Sequence, residues 1–369
     1  MSLPVLELDA RLGRLRPKLA EIEVDAILVT TLPNVRYLTG FTGSAGILIV
    51  TADSALMVTD GRYRTQAAQQ LRDAGVDTDV ELVIGGVEGQ RNALIGSARR
   101  AGGSRIGMEA DDITWGAQRR WEELLSPAVT VPVSGVVEKL REVKDAGEIA
   151  RMQRAAKIAD DALGQVVEDL GKSLSELEIA LRIDTAMRRL GAEDRAFETI
   201  VASGPNSAKP HARPSDRVIE AGDPVVIDFG ATFDGYRSDM TRTFCVGGPP
   251  AGDLGRMFEV VEAAQKAGVH SVRSGVAAGE VDRACRDLIA RAGWGDAFEH
   301  GTGHGVGLDI HEAPSVGPGS TAILEPGVVV TVEPGVYIPG IGGVRIEDTV
   351  VVTDSACLTL TCFPKDVVA

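Results

Sequence analysis

No stretch of this sequence approaches the roughly 18 consecutive apolar residues that a membrane helix needs, so a bilayer-spanning protein is not expected. The opening Met1-Ser-Leu-Pro-Val-Leu-Glu-Leu-Asp has no basic start followed by an apolar stretch, so it does not read as a signal peptide. Cysteine is scarce. Cys245, Cys285, Cys357 and Cys362 form no Cys-x-x-Cys pair and no Cys/His cluster of zinc-finger spacing. Buried, reduced thiols in a cytoplasmic protein are the reading that follows, ahead of secretory disulfides. Positive charge is in deficit, with 38 basic against 53 acidic residues and a formal net charge of −15. Such a surface repels phosphate backbones, so neither nucleic acid nor membrane is an expected partner.

What is present is a long, ordinary globular composition. At 369 residues the chain exceeds the usual domain of about 100–200, so two domains are expected. A hydrophobic share of 44% gives each a core that needs no covalent staple.

Hydrophobic periodicity divides the first part into alternating elements. Residues 10–22 read as a helix, and Asp25-Ala-Ile-Leu-Val-Thr30, Gly46–Thr51 and Ala55–Thr59 as strands. A helix follows Asp60-Gly-Arg-Tyr63 to about Ala74, with Gly75 as its stop. A strand at 105–108 and a helix at 114–125 continue the alternation, giving a small α/β domain. Pro127 to Val137 reads as extended, and the sharply charged Glu138-Lys-Leu-Arg-Glu-Val-Lys-Asp marks the boundary. The expected domains are 1–137 and 138–369.

The second domain repeats itself. Helices at 146–170 and 175–190, the latter with a Ser175/Glu178 capping box, precede a strand pair carrying Asp228 and Asp239. Helices at 253–273 and 279–292 precede another strand pair carrying Glu333 and Glu347. Glu220-Ala-Gly-Asp-Pro-Val-Val-Ile-Asp228 parallels Glu325-Pro-Gly-Val-Val-Val-Thr-Val-Glu333, with glycine third and a carboxylate ninth. Two related halves would bring their carboxylates to one pseudo-twofold centre.

Those carboxylates are costly where they stand. Asp228 ends the apolar run Val225-Val-Ile; alone it reads as a strand-end turn residue. Asp239 follows eleven residues later, across a turn at Gly235, a spacing that suits two carboxylates on paired strands facing one side. Taken singly it reads as a surface-strand aspartate, although Asp is disfavoured in strands. Glu333 and Glu347 have strand-forming neighbours, and burial without a partner would be expensive. Arg345 shares strand parity with Glu347; it orients a carboxylate or forms an ion pair.

Histidine is also scarce, yet three of the five residues fall in His300-Gly-Thr-Gly-His304-Gly-Val-Gly-Leu-Asp-Ile-His311-Glu. The interleaved glycines let the backbone approach a bound species. A flexible loop is the plainer reading, and a dinucleotide loop lacks the Rossmann spacing. His211 lies in the loop-forming Ser203-Gly-Pro-Asn-Ser-Ala-Lys-Pro-His-Ala-Arg213, and His270 lies in an expected helix. Four carboxylates with one imidazole suit two divalent ions such as Mn²⁺, Co²⁺ or Zn²⁺ rather than a structural zinc.

Taken together, these motifs resemble the pita-bread metallopeptidases, the family of aminopeptidase P, prolidase and methionine aminopeptidase. Residues 300–312 resemble the proline-peptidase signature. The resemblance covers about 141–365, from Arg141-x-x-Lys144-x-x-x-Glu148-Ile onward. It extends to the first domain, where Asn34-Val-Arg-Tyr-Leu-Thr-Gly-Phe-Thr-Gly-Ser44 and Asp60-Gly-Arg-Tyr63 resemble the creatinase type. It implies a creatinase-like α/β domain followed by an α+β pita-bread catalytic domain. It places the metal ligands on Asp228, Asp239, His304, Glu333 and Glu347, with Asp239 and Glu347 bridging two ions, most readily Mn²⁺. A bridging water of lowered pKa would then hydrolyse the bond between an N-terminal residue and proline. Glu333 would shuttle protons, His211 and His311 would contact the scissile carbonyl or its oxyanion, and His300 and Arg345 would shape substrate binding. A homodimer is the implied assembly, with Xaa-Pro dipeptidase and Xaa-Pro aminopeptidase both open. The rival readings are a catalytically inactive pita-bread module binding peptide or protein, and a creatinase-like hydrolase without metal.

Overall fold

The computed structural model describes residues 3–365 and Val368. These form two compact units, Val5–Arg141 and a larger one from Glu142 onward that also takes in residues 3–4.

In the smaller unit, strands Ala26–Val29 (β1), Ile47–Thr51 (β2), Ala55–Thr59 (β3), Val80–Ile84 (β4), Arg105–Glu109 (β5) and Val129–Val133 (β6) form one sheet in the order β4-β3-β2-β1-β5-β6. β2 runs antiparallel to both neighbours, while β1, β5 and β6 are mutually parallel. β1 and β3 are buried along their whole lengths, so they read as continuous apolar runs rather than alternating ones.

The structure departs from the sequence reading here in three places. Leu32–Thr39 is a helix, stopped by Gly40 at φ +73°, where the motif around Asn34 had suggested no element. β4 and the helix Val87–Arg100 fill a stretch that had not been assigned. The extended reading of 127–137 is corrected as well. β6 ends at Val133 and a helix runs Val136–Arg141, which buries Val137 and Arg141 one turn apart; a local pair of valines looks strand-like, and burial on a helical face overrides it.

The larger unit is built twice over. Helices Ala146–Val166 and Glu176–Arg189 pack on the strand pair Pro224–Phe229 and Met240–Cys245. Both helices start with a capping box, at Asp145/Glu148 and at Ser175/Glu178. Helices Gly252–Ser271 and Ala278–Arg291 pack on the pair Val329–Val332 and Asp348–Val352. In each half a two-stranded hairpin interrupts the long pair. Ala231–Phe233 pairs with Tyr236–Arg237, and Gly335–Ile338 pairs with Gly342–Arg345.

This interruption corrects the expected hairpin geometry. Asp228 lies within its strand, but Asp239 precedes Met240, Glu333 follows Val332 and Glu347 precedes Asp348. Three of the four carboxylates therefore stand at strand ends, where the backbone leaves the ladder. Among the described residues no helix is long and apolar enough to cross a membrane.

Candidate active site

Both strand breaks open toward one point. Carboxylate oxygens of Asp228, Asp239 and Glu347 all lie within 4.8 Å of one another. His304 Nε2 is 3.5 Å from Asp239 Oδ2 and 3.4 Å from Glu333 Oε1. The structure thus brings all five sequence-derived ligand candidates together.

His304 reaches that point because glycine surrounds it. A Cβ on Gly303 would stand 2.0 Å from the Thr331 carbonyl oxygen, and one on Gly305 2.2 Å from that of Ala313. Only glycine permits the strand Gly303–Gly305 to lie so close to its neighbours. His304 Nδ1 sits 2.9 Å from the Gly305 carbonyl and donates to it, which leaves the Nε2 lone pair aimed at the carboxylates.

The two halves hold each other's carboxylates. Thr241, opposite Asp228 in the first half, donates to Glu347 Oε2 at 2.7 Å. Arg345, from the second half, donates through Nη2 to Asp228 Oδ2 at 2.6 Å and through Nε to Thr241 Oγ1 at 3.0 Å. Thr349 Oγ1 donates to the Asp239 carbonyl at 2.7 Å, and Thr331 Oγ1 to Glu333 Oε1 at 3.2 Å.

Electrostatically the cluster is strained without a cation. Burial, with the charge of Glu347 next, pushes Asp239 well above the carboxylate range. Burial, then Glu333 and Asp228, does the same to Glu347, and burial pushes Glu333 up to about 8. Two buried oxygens, Asp228 Oδ1 and Glu347 Oε1, find no hydrogen-bond partner among the described residues. Orphaned carboxylate oxygens are expensive in a protein interior. An oxygen-rich set with one imidazole fits hard-to-borderline divalent cations, and such ions would supply the missing partners.

The cluster floors a cavity of about 310 Å³. Apolar Phe197, Ile200 and Ile310 line it together with His211, His300, His304 and His311. The His311 ring meets His304 edge-on at 4.4 Å between centroids, and burial lowers the pKa of both. His300, lowered by burial to about 4, donates from Nδ1 to the Gly301 carbonyl at 2.7 Å. Its Nε2 then accepts from the Tyr337 hydroxyl at 3.0 Å, and Tyr337 accepts from Arg345 Nη1 at 2.7 Å.

His211 lies exposed at the cavity, next to Pro210, whose carbonyl accepts from Arg345 Nη1 at 3.2 Å. His270 is exposed on its helix and does not line the cavity. Arg213 is exposed and off the cavity wall, while Arg237 donates to the Leu308 and Ala196 carbonyls. Sequence reasoning did not single out Thr241, Thr331 or Tyr337. Thr331 stands two residues before Glu333 in the sequence, a spacing that could have flagged it.

Comparison with known proteins gives a consistent result. Residues 150–354 match metallopeptidase family M24, and residues 11–143 match the creatinase/prolidase N-terminal domain. The chain is similar to a Bacillus anthracis structure described as an Xaa-Pro dipeptidase, with 39% identity, TM-score 0.93, and 98% of this chain and 99% of that one covered. It is also similar to an X-Pro aminopeptidase structure from Thermotoga maritima MSB8, with 34% identity, TM-score 0.86, and 95% and 99% covered. The uncharacterized peptidase YqhT of Bacillus subtilis (strain 168) is 42% identical over 358 residues, covering 97% of this chain and 99% of that protein.

Proposed function

This chain belongs to metallopeptidase family M24, and from that premise we propose that it hydrolyses the bond between an N-terminal residue and a following proline, as an Xaa-Pro dipeptidase or aminopeptidase. The observation that carries this reading is the convergence of five ligand-type side chains, two with orphaned oxygens, beside a cavity lined by histidine and apolar groups. In this proposal Asp228, Asp239, His304, Glu333 and Glu347 would together hold two divalent ions. Manganese is the proposed metal, since carboxylate-rich sites suit it, with cobalt or zinc as substitutes. When bound, the two ions would lower the pKa of the attacking water and polarise the scissile carbonyl.

The remaining work falls to the chain itself. Phe197, Ile200 and Ile310 offer an apolar wall against which the proline ring packs and from which water is excluded. His211 and His311, at the rim, hold the carbonyl oxygen as it becomes an oxyanion. Glu333, whose Oε1 lies beside His304, takes the proton of the attacking water and returns it to the proline nitrogen as the C–N bond breaks. Arg345 has donors engaged by Asp228, Tyr337, Thr241 and Pro210, so its role is to orient Asp228 and, through Tyr337, His300. His300, neutral in that network, shapes the pocket wall.

A cytoplasmic setting is part of the proposal, supported by four unpaired thiols. A homodimer is proposed as the working assembly, on family grounds. The test is cleavage of Ala-Pro and of a longer Xaa-Pro-Yaa peptide after dialysis against chelator, and again with Mn²⁺. Metal-restored cleavage supports the reading, and the preferred length names the subclass. Bound metal without cleavage of either peptide overturns the Xaa-Pro assignment.

A further inference from the structure

The motif Arg141-x-x-Lys144-x-x-x-Glu148-Ile leads into the larger unit and takes no direct part in the chemistry above. Its glutamate has a structural account. Glu148 Oε2 accepts from Asp145 N in the capping box, and Oε1 accepts from the Tyr236 hydroxyl at 3.0 Å. Its lysine has none so far. Lys144 Nζ is 3.1 Å from Glu312 Oε2, with the two side chains only 1% and 7% exposed. An ammonium and a carboxylate buried to this degree are costly to desolvate and are held in place by each other.

Glu312 is the residue after His311. Its other oxygen accepts from the Asp309 backbone N–H at 3.0 Å, so the carboxylate spans the turn that presents His311. Upstream in the same turn, Gly307 N–H donates to the Asp309 carbonyl at 3.0 Å. The Gly307 carbonyl accepts from Arg237 N at 2.9 Å, and the Leu308 carbonyl from Arg237 Nε at 3.1 Å. The segment is therefore pinned upstream by Arg237 and downstream by Lys144 through Glu312. Lys144 is itself fixed where its backbone N–H meets the Gly327 carbonyl at 3.0 Å and its Nζ meets the Glu142 carbonyl at 3.3 Å.

We propose that Lys144 is a positioning residue for His311: its buried ion pair with Glu312 holds the 305–312 turn in the one arrangement that aims His311 into the cavity. This rests on the role given to His311 above. With Lys144 truncated, Glu312 loses the buried ammonium beside it and its hold on the Asp309 amide weakens, so the turn loosens at its downstream end. The proposed metal ligands lie outside the 305–312 turn, so metal content is retained while the transition-state contact is degraded.

The test pairs backbone amide exchange with steady-state kinetics on the Mn²⁺-loaded protein, using Lys144→Met, with Glu312→Gln as the second variant should the first fail to fold. The expected results are faster exchange across 305–311 and a fall in kcat of about 10–100-fold, the range usual for outer partners of site residues. KM should hardly move, since the contact matters in the transition state. In a His311→Ala background Lys144→Met should cost nothing further in kcat, because the group it positions is gone. Unchanged exchange in the folded variant, or the same fold-loss with and without His311, overturns the proposal. Should His311→Ala alone leave kcat intact, the role assigned to His311 fails, and the exchange result by itself decides whether Lys144 holds the turn.

Discussion

Two buried glutamates, Glu109 of the smaller unit and Glu347 of the larger, are treated in opposite ways. Glu109 in the smaller unit is 5% exposed and fully occupied. Thr30 and Thr31 each donate backbone N–H and hydroxyl to Oε2, between 2.6 and 3.1 Å, and Asn34 Nδ2 donates to Oε1 at 2.8 Å. Glu347 in the larger unit is 1% exposed and half used. Thr241 serves Oε2, while Oε1 has no partner among the described residues and the neighbouring acids repel it. A carboxylate satisfied by fixed donors organises a loop. One left short of donors among other carboxylates is shaped for a cation.

Removing Glu347 should break that contrast most sharply. Glu347→Ala is expected to reduce Xaa-Pro cleavage to background and to lower bound metal, as read by elemental analysis. The same protein without metal should be no less stable to heat than the parent, because a repelled buried charge has gone. A drop in thermal stability of the metal-free variant would put Glu347 in the same class as Glu109.

His311→Ala comes next. It should keep full metal content and lose about 10²–10³-fold in kcat, the usual cost of one oxyanion donor. Stopped assays across substrate concentration separate that outcome from a change in KM.

A third effect is a pH dependence confined to the metal-free protein. Glu333 has a folded pKa pushed up to about 8, and Asp239 and Glu347 are displaced in the same direction. Groups raised on folding stabilise while protonated, and that contribution fades as pH climbs past the unfolded carboxylate range and through the folded value. Thermal unfolding of chelated protein should therefore weaken from pH 5 to pH 8, and Mn²⁺ should cancel the trend. A flat profile without metal would show that burial and the neighbouring charges do not raise these acids.

The smallest effect belongs to the satisfied glutamate. Glu109→Gln turns one acceptor into a donor facing other donors, which should cost about 1–3 kcal/mol of stability. Denaturant unfolding would measure it, with metal content and kcat expected to match the parent.

These outcomes also bear on what a bare sequence can tell. The five ligand candidates and the helix pairs before them were legible, since acids inside apolar runs and histidines among glycines are locally improbable. The doubled layout was legible from the parallel between 220–228 and 325–333. What was not legible is how the halves hold each other. Thr241 serving Glu347 and Arg345 serving Asp228 are contacts across more than a hundred residues, and no local pattern encodes them. The helix Leu32–Thr39 was missed because its short apolar face competes with a strand-like composition. Asp239 was set on a strand because the two small hairpins that break the long pairs leave no clear period.

The central claim is that these carboxylates and His304 form one two-ion centre that runs the peptidase. The most direct measurement is Mn²⁺ titration of chelated protein, following bound metal and Ala-Pro cleavage together in the parent, Asp239→Ala and His304→Ala. Two ions per parent chain are expected, with activity that rises with them and loss of both in Asp239→Ala. In His304→Ala one site should be weakened. Full cleavage with no metal bound, or two ions retained in Asp239→Ala, would contradict that claim.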